Sequence, residues 1–195
     1  MLAGFARQFA ALSLSHAGVK VGSRIGLASL VLLAAAGSVH NAAALNETKT
    51  LSFHHTHSGE DLTVTFKRDG RYDEAALKTL NHFLRDWRTN DVAQIDTDLF
   101  DTLVQLHRAT GADKRAYFTL ISGYRSPHTN KKLHCTTSGV ASKSQHMLGK
   151  AVDINLRNVR LANLHKAARS LRAGGVGYYP ESNFVHVDTG RVRYW

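Results

Sequence analysis

Residues Ser144–Leu156 read SQHMLGKAVDINL, and the second half alternates. On a strand, Val152, Ile154 and Leu156 share one face, and Ala151, Asp153 and Asn155 share the other. The apolar face predicts a strand packed on a core. Asp153 then points to the opposite side, beside the small Ala151, where a ligand has room. Gly149 lets the chain turn without a Cβ penalty, so His146 can fold back beside Asp153. A histidine and an aspartate at this spacing are common by chance, and for this pair alone a loop histidine hydrogen-bonded to an aspartate is the simpler reading.

A second strand-like stretch, FVHVD at Phe184–Asp188, changes that balance. Val185 and Val187 take one face, while Phe184, His186 and Asp188 take the other. An imidazole on the buried side of an apolar strand is costly without a partner. His146, Asp153 and His186 together supply three ligands of types that bind zinc at about 2.0–2.2 Å. Three protein ligands with a fourth position left to water is the pattern of a catalytic rather than a structural zinc. Upstream, the strand-like YFTLIS (Tyr117–Ser122) runs into Gly123-Tyr124-Arg125-Ser126-Pro127. Arg125 on that Gly/Pro-bounded turn suits a substrate carboxylate or a developing oxyanion, or simply ties the turn to a carboxylate.

Around this centre, the expected elements suit one α+β domain. Leu51–Phe66 reads as two short strands around a Ser58-Gly59 turn, with Leu62, Val64 and Phe66 alternating. Asp73 caps a helix expected to run to about Arg88, with Leu77, Leu80, Leu84 and Trp87 on one face. A second helix spans about Asp98–Thr110, with Leu99, Leu103 and Leu106 inward and Gly111 as its stop. A third spans Asn158–Ala173 and ends at Gly174-Gly175. With helices early and strands late, the expectation is a small, mainly antiparallel sheet carrying the zinc site and packed with helices. Thr129–Lys143, TNKKLHCTTSGVASK, reads as a basic, flexible loop, either a lid or a solvated surface. His54, His55 and His57 cluster near the hairpin, where surface positions are the simpler reading than a metal site. Cys135 is the only cysteine and cannot form an internal disulfide, so stability must come from packing.

The first 44 of the 195 residues differ from the rest: they carry Arg7, Lys20 and Arg24 and no acidic residue. Ile25–Gly37 is an uncharged run, short for a bilayer span but suited to a secretory leader, and Ala42 and Ala44 supply the small residues for cleavage after Ala44. Residues 1–44 are thus expected to be a signal peptide, or an uncleaved anchor, and 45–195 the exported domain. Without the leader, 22 basic and 15 acidic residues remain. That net positive charge suits an anionic polymer. Export and the lack of any nucleic-acid-binding motif argue against nucleic acid, and membrane contact is expected only through the leader.

The pattern Ser144-x-His146-x2-Gly149-x-Ala151-x-Asp153, with Tyr124-Arg125-Ser126 upstream and His186 late, resembles the lysostaphin, D-Ala-D-Ala peptidase and sonic hedgehog group of zinc peptidases. The stretches HTHSGEDL, FKRDGRYD, LNHFLRDWR, SGYRSPHTN and GGVGYYPESNFVHVDTGRVRYW are similar to exported murein endopeptidases of the MepK (YcbK) type, over about Leu51–Trp195. The resemblance implies one zinc ion held by His146, Asp153 and His186, and a periplasmic enzyme. It also implies cleavage of peptidoglycan stem-peptide cross-links, between two meso-diaminopimelate residues (3-3) with some D-Ala-diaminopimelate (4-3). Arg125 and Ser144 are then candidate substrate-binding residues. Many relatives carry an acidic base three residues before the last ligand. Here Asn183 stands there and cannot take a proton. Asp188, on the His186 face, is the first candidate base, or a partner that orients the histidine. Glu181 is the second. A non-catalytic wall-binding module and a carboxypeptidase trimming stem ends remain alternatives.

Overall fold

Alternation of apolar and polar side chains builds the sheet that organises this chain. The computed structural model describes residues 47–137 and 139–195. The expected leader and its cleavage site lie outside them. Strand β1 (Lys49–His55) buries Leu51, Phe53 and His55, and β2 (Asp61–Arg68) directs Leu62, Val64 and Phe66 to the same core. They pair antiparallel, as the hairpin pattern predicts. Then follow β3 (Arg71–Tyr72), β4 (Phe118–Ser122), β5 (Ala151–Leu156), β6 (Gly175–Tyr179), β7 (Phe184–Asp188) and β8 (Arg193–Tyr194).

The sheet is larger than expected, with eight strands in the order β3-β2-β1-β4-β5-β7-β6-β8. It is mixed: β1 runs parallel to β4 and β6 to β8, and the other neighbours are antiparallel. The parallel β1–β4 pair needs a long crossover, which two helices supply. These are α1 (Glu74–Phe83), capped by Asp73, and α2 (Thr97–Ala109), capped by Asp96. The expectation of helices first and strands late is therefore wrong, because β1 and β2 precede every described helix.

Three further boundaries depart from the sequence reading. Helix α1 stops at Phe83 rather than near Arg88, because the Asp86 carboxylate ties the next segment into a turn. Asp86 accepts from the backbone N–H of Arg88 (3.1 Å) and of Ser126 (2.9 Å). Trp87 is accordingly only partly buried, stacked on His57 at 4.1 Å. Helix α3 (Pro127–Thr136) replaces most of the expected flexible loop. Ser126 caps it through the Thr129 N–H, and Pro127 takes the first position, where its missing N–H costs nothing. Helix α4 (Leu161–Leu171) is shorter than Asn158–Ala173, since Asn158 and Arg172 both hold positive φ.

Helices α1, α2 and α4 pack on the sheet, α1 against β2, α2 against β1, and α4 against β5, β6 and β7. The core between them includes Phe53, Phe66, Phe100, Phe118, Leu80, Leu99, Leu103, Ile154 and Leu164, all almost fully buried. Each such side chain contributes roughly 1.5–3 kcal/mol on burial. Val152, Ile154, Val185 and Val187 belong to this core. Strand parity therefore puts Asp153 and His186 on the sheet's other face.

Candidate metal centre

The centre is assembled by strand register. In the antiparallel β5–β7 pair, Asp153 stands directly opposite His186. His146 arrives from a single 3-10 turn, Gln145–Leu148, capped by Ser144. Gly149 closes that turn at φ +66° and lies so close to the Gln94 carbonyl that a Cβ would sit 2.3 Å from its oxygen. Only glycine satisfies both conditions. All three side chains are buried.

His146 Nδ1–H donates to the Gly123 carbonyl at 2.7 Å, which leaves the Nε2 lone pair facing inward. His186 Nε2–H donates to Asp188 Oδ2 at 2.9 Å, which leaves its Nδ1 lone pair facing the same point. Asp153 Oδ1 completes a triangle: 2.9 Å to His186 Nδ1, 3.2 Å to His146 Nε2, with the two nitrogens 3.1 Å apart. Three acceptors in contact demand a positive charge at their centre, either a proton or a cation. Ligand atoms around a tetrahedral zinc stand about 3.4 Å apart, given bonds near 2.0–2.2 Å. The triangle is close to that spacing, so these residues fit one such ion. Among the described residues, this is the one group of three or more ligating side chains so gathered.

The electrostatics agree with that geometry. Burial opposes ionisation of Asp153, but the two flanking histidines outweigh it and hold its carboxyl well below the usual range. Burial also disfavours a charged His186, but hydrogen bonds from its ring to Asp153 and Asp188 win and raise it.

Asp188 is not placed to take a proton from water near the triangle. It is fully buried and meets His186 on the nitrogen that faces away from the triangle. Its Oδ1 accepts from the Gly175 and Gly190 N–H groups at 3.1 and 2.8 Å. Arg193 grips both oxygens, at 3.0 and 2.7 Å. Burial pushes its carboxyl up, yet these bonds from His186, Arg193 and Gly190 hold it well below the usual range. Glu181 is exposed in the β6–β7 turn and does not line the cleft. Parity put Asp188 on the right face but did not show that the imidazole ring stands between it and the triangle.

The triangle forms the floor of a cleft of about 460 Å³. Arg125 lines it, with Nη2 at 3.7 Å from Asp153 Oδ2 and a buried Nε that has no hydrogen-bond partner. Ser144 also lines the cleft, although its Oγ accepts from the His146 N–H at 3.3 Å. The 137–145 segment supplies Thr137, Val140, Ala141 and Lys143 to the wall. Buried Asn130, on α3, ties this segment down by donating to the Ala141 and Ser142 carbonyls at 3.1 and 3.3 Å. Tyr179, Phe184, Arg193 and Trp195 line the cleft as well.

Sequence reasoning missed several of these roles. Asp86 anchors the Arg125 turn through Ser126, but it lay inside an expected helix. Asn130 lay inside an expected loop. Arg193 and Trp195 follow the last anticipated strand: Arg193 lies on a strand of two residues with no readable period, and Trp195 comes just after it. The other histidines stay outside the centre: buried His55 accepts from the His57 N–H at 3.1 Å, and His54 pairs with Asp61 at 2.8 Å. Cys135 is exposed on α3.

Comparison with known proteins matches the chain to one family. The family model described as peptidoglycan L,D-endopeptidase MepK matches residues 43–195. The chain is 48% identical over 148 residues to peptidoglycan L,D-endopeptidase MepK of Escherichia coli (strain K12), covering 75% of this chain and 80% of that protein. It is 42% identical over 147 residues to the probable peptidoglycan L,D-endopeptidase MepK of Haemophilus influenzae, covering 75% and 78%.

Proposed function

We propose, for a chain that belongs to the peptidoglycan L,D-endopeptidase MepK family, the hydrolysis of peptide cross-links in peptidoglycan at a centre built from His146, Asp153 and His186. The chain is a peptidase of that family. The zinc dependence, the bond preference and the periplasmic setting are our reading. The observation that carries the reading is the triangle of three inward-facing acceptors on a cleft floor.

His146 Nε2, Asp153 Oδ1 and His186 Nδ1 would hold one zinc ion, which supplies Lewis acidity toward an amide carbonyl when bound. The chain's own residues do the rest. Gly123 and Asp188 hold the protons on the outer nitrogens of the two histidines, which keeps the inner lone pairs free. Arg125, whose guanidinium reaches Asn130 Oδ1 at 3.5 Å and Asp153 Oδ2 at 3.7 Å, binds a stem-peptide carboxylate or the oxyanion that develops on the scissile carbonyl. Asp188 serves as a positioning residue, not as the base. Apart from Asp153, no carboxylate lines the cleft among the described residues. Substrates are 3-3 cross-links between diaminopimelate residues, with 4-3 links cut more slowly. The leader read in residues 1–44 would deliver the domain to the periplasm.

The test is incubation of the purified chain with defined 3-3 and 4-3 cross-linked muropeptide dimers, with chelator and after zinc is restored. Loss of dimers with zinc, arrest with chelator and recovery on readdition are expected. Dimers that stay intact in the presence of zinc would sink the assignment. Release of only terminal residues would point to a carboxypeptidase instead.

A further inference from the structure

Trp195 is half exposed, at 50%, and lines the cleft beside His186, with ring centroids 5.2 Å apart. An exposed indole usually moves freely, but this one is held from several sides. Its Nε1–H donates to the Tyr179 hydroxyl at 2.7 Å. The Arg193 guanidinium lies over its ring at 4.9 Å. Its backbone is pinned to β6, donating to the Val176 carbonyl at 3.2 Å and accepting from the Tyr178 N–H at 3.0 Å. Gly177 leaves the space the indole occupies, since a Cβ there would sit 2.7 Å from Trp195 Nε1. Tyr179 is itself stacked on Phe184 at 4.5 Å, and both line the cleft. The result is a rigid aromatic wall whose water-exposed surface is oriented before any substrate arrives. Rigid aromatic surface gives contact area at little entropic cost, and it suits C–H groups rather than charge. The same cleft is lined by Arg125 and Lys143, which suit a carboxylate.

We propose that Trp195 is a specificity-determining residue that packs against the methylene chain of a diaminopimelate residue at the scissile cross-link, while that residue's carboxylate faces the cationic side chains of the cleft. The inference rests on the peptidoglycan reading of the same site. A residue combining a methylene chain with a terminal carboxylate matches the aromatic wall and the cations together. A saccharide would match the aromatic wall alone.

The experiment is steady-state kinetics of the zinc-loaded chain on glycan-free 3-3 peptide dimers. They are compared with dimers in which the diamino acid is shortened by methylene groups. The wild type is expected to favour the full-length residue. Trp195→Ala is expected to raise KM roughly tenfold with kcat within about twofold, and to erase that preference, as loss of an apolar pocket contact does. Trp195→Phe should restore most of both. Chelator competition should show unchanged zinc affinity in Trp195→Ala. The inference is overturned if Trp195→Ala keeps the wild-type KM and preference, or if its defect appears only on glycan-bearing dimers, which would assign the wall to sugar. Loss of zinc in Trp195→Phe would likewise overturn it in favour of a purely structural role. A wild-type chain that cuts no dimer at all removes the peptidoglycan reading itself, and this inference with it.

Discussion

Asp188 and Asp153 grip opposite nitrogens of the same ring: Asp188 meets His186 Nε2 at 2.9 Å, and Asp153 meets Nδ1 at 2.9 Å. The first carboxylate fixes the tautomer, and the second shares the inward side with His146. Arg193 in turn fixes Asp188 through two hydrogen bonds. A line of four side chains thus runs from β8 to the cleft floor.

Breaking that line should weaken zinc binding. Asp188→Asn offers an amide in place of the acceptor and loses the Arg193 ion pair. Zinc affinity should fall about 10–100-fold, as it does when partners of metal-bound histidines are changed. Arg193→Gln should fall within the same range but by less. Chelator competition reads both, and unchanged affinity in Asp188→Asn would show that Asp188 does not orient His186.

Gly175 tests the same brace from the backbone. A Cβ there would stand 2.4 Å from Arg193 Nη1 and 2.5 Å from Asp188 Oδ2, so the ion pair must shift to admit it. Gly175→Ala should cost about 1–3 kcal/mol of stability, the usual range for overpacking. It should also weaken zinc binding, measured by denaturant titration and chelator competition on the same preparation.

His55 makes stability depend on pH. Burial holds its ring down to about 4, with the neighbouring His57 adding to the effect. Between pH 6.5 and 4 the unfolded chain therefore takes up a proton that the folded chain refuses. Stability falls as pH is lowered through that window, and the loss is complete near pH 4. The size is on the order of 3 kcal/mol. Denaturant titrations at pH 7.5 and 4.5 should show the loss in the wild type and a smaller one in His55→Gln. Equal losses in the two proteins would remove His55 as the cause.

Asn130 controls the 137–145 wall. Asn130→Ala removes both hydrogen bonds to the Ala141 and Ser142 carbonyls, at a cost of about 1–3 kcal/mol if they stay buried. Faster amide exchange near Ala141–Lys143 and a raised KM with little change in kcat are expected. Unchanged exchange would mean that other contacts, such as the His134 bond to Val140, hold the segment alone.

Strand parity made the centre legible because β5 and β7 are long enough to show period two. It assigned Asp153 and His186 to one face, and the register places them opposite each other. Parity gives a face but not an order of depth, which is why Asp188 read as a base. Helical periodicity found Leu99, Leu103 and Leu106 correctly on α2. On α1 it ran past the true end, because Asp86 bonds to Ser126, forty residues away in sequence, and no local pattern carries that tie. Ser126-Pro127 read as a turn, although a serine before a proline is equally a helix start. Strands β3 and β8 have two residues each, too few for any period to show.

The facing positions of Asp153 and His186 also determine which sequence changes a lineage carrying this domain can accept. A one-residue insertion or deletion inside β5 or β7 would turn every following side chain to the opposite face, sending Asp153 or His186 into the apolar interior and a valine into the cleft. Substitutions around the centre are judged one at a time by what they touch. Length changes in these two strands are judged all at once, so homologous domains should vary in loop length while keeping both strands free of gaps.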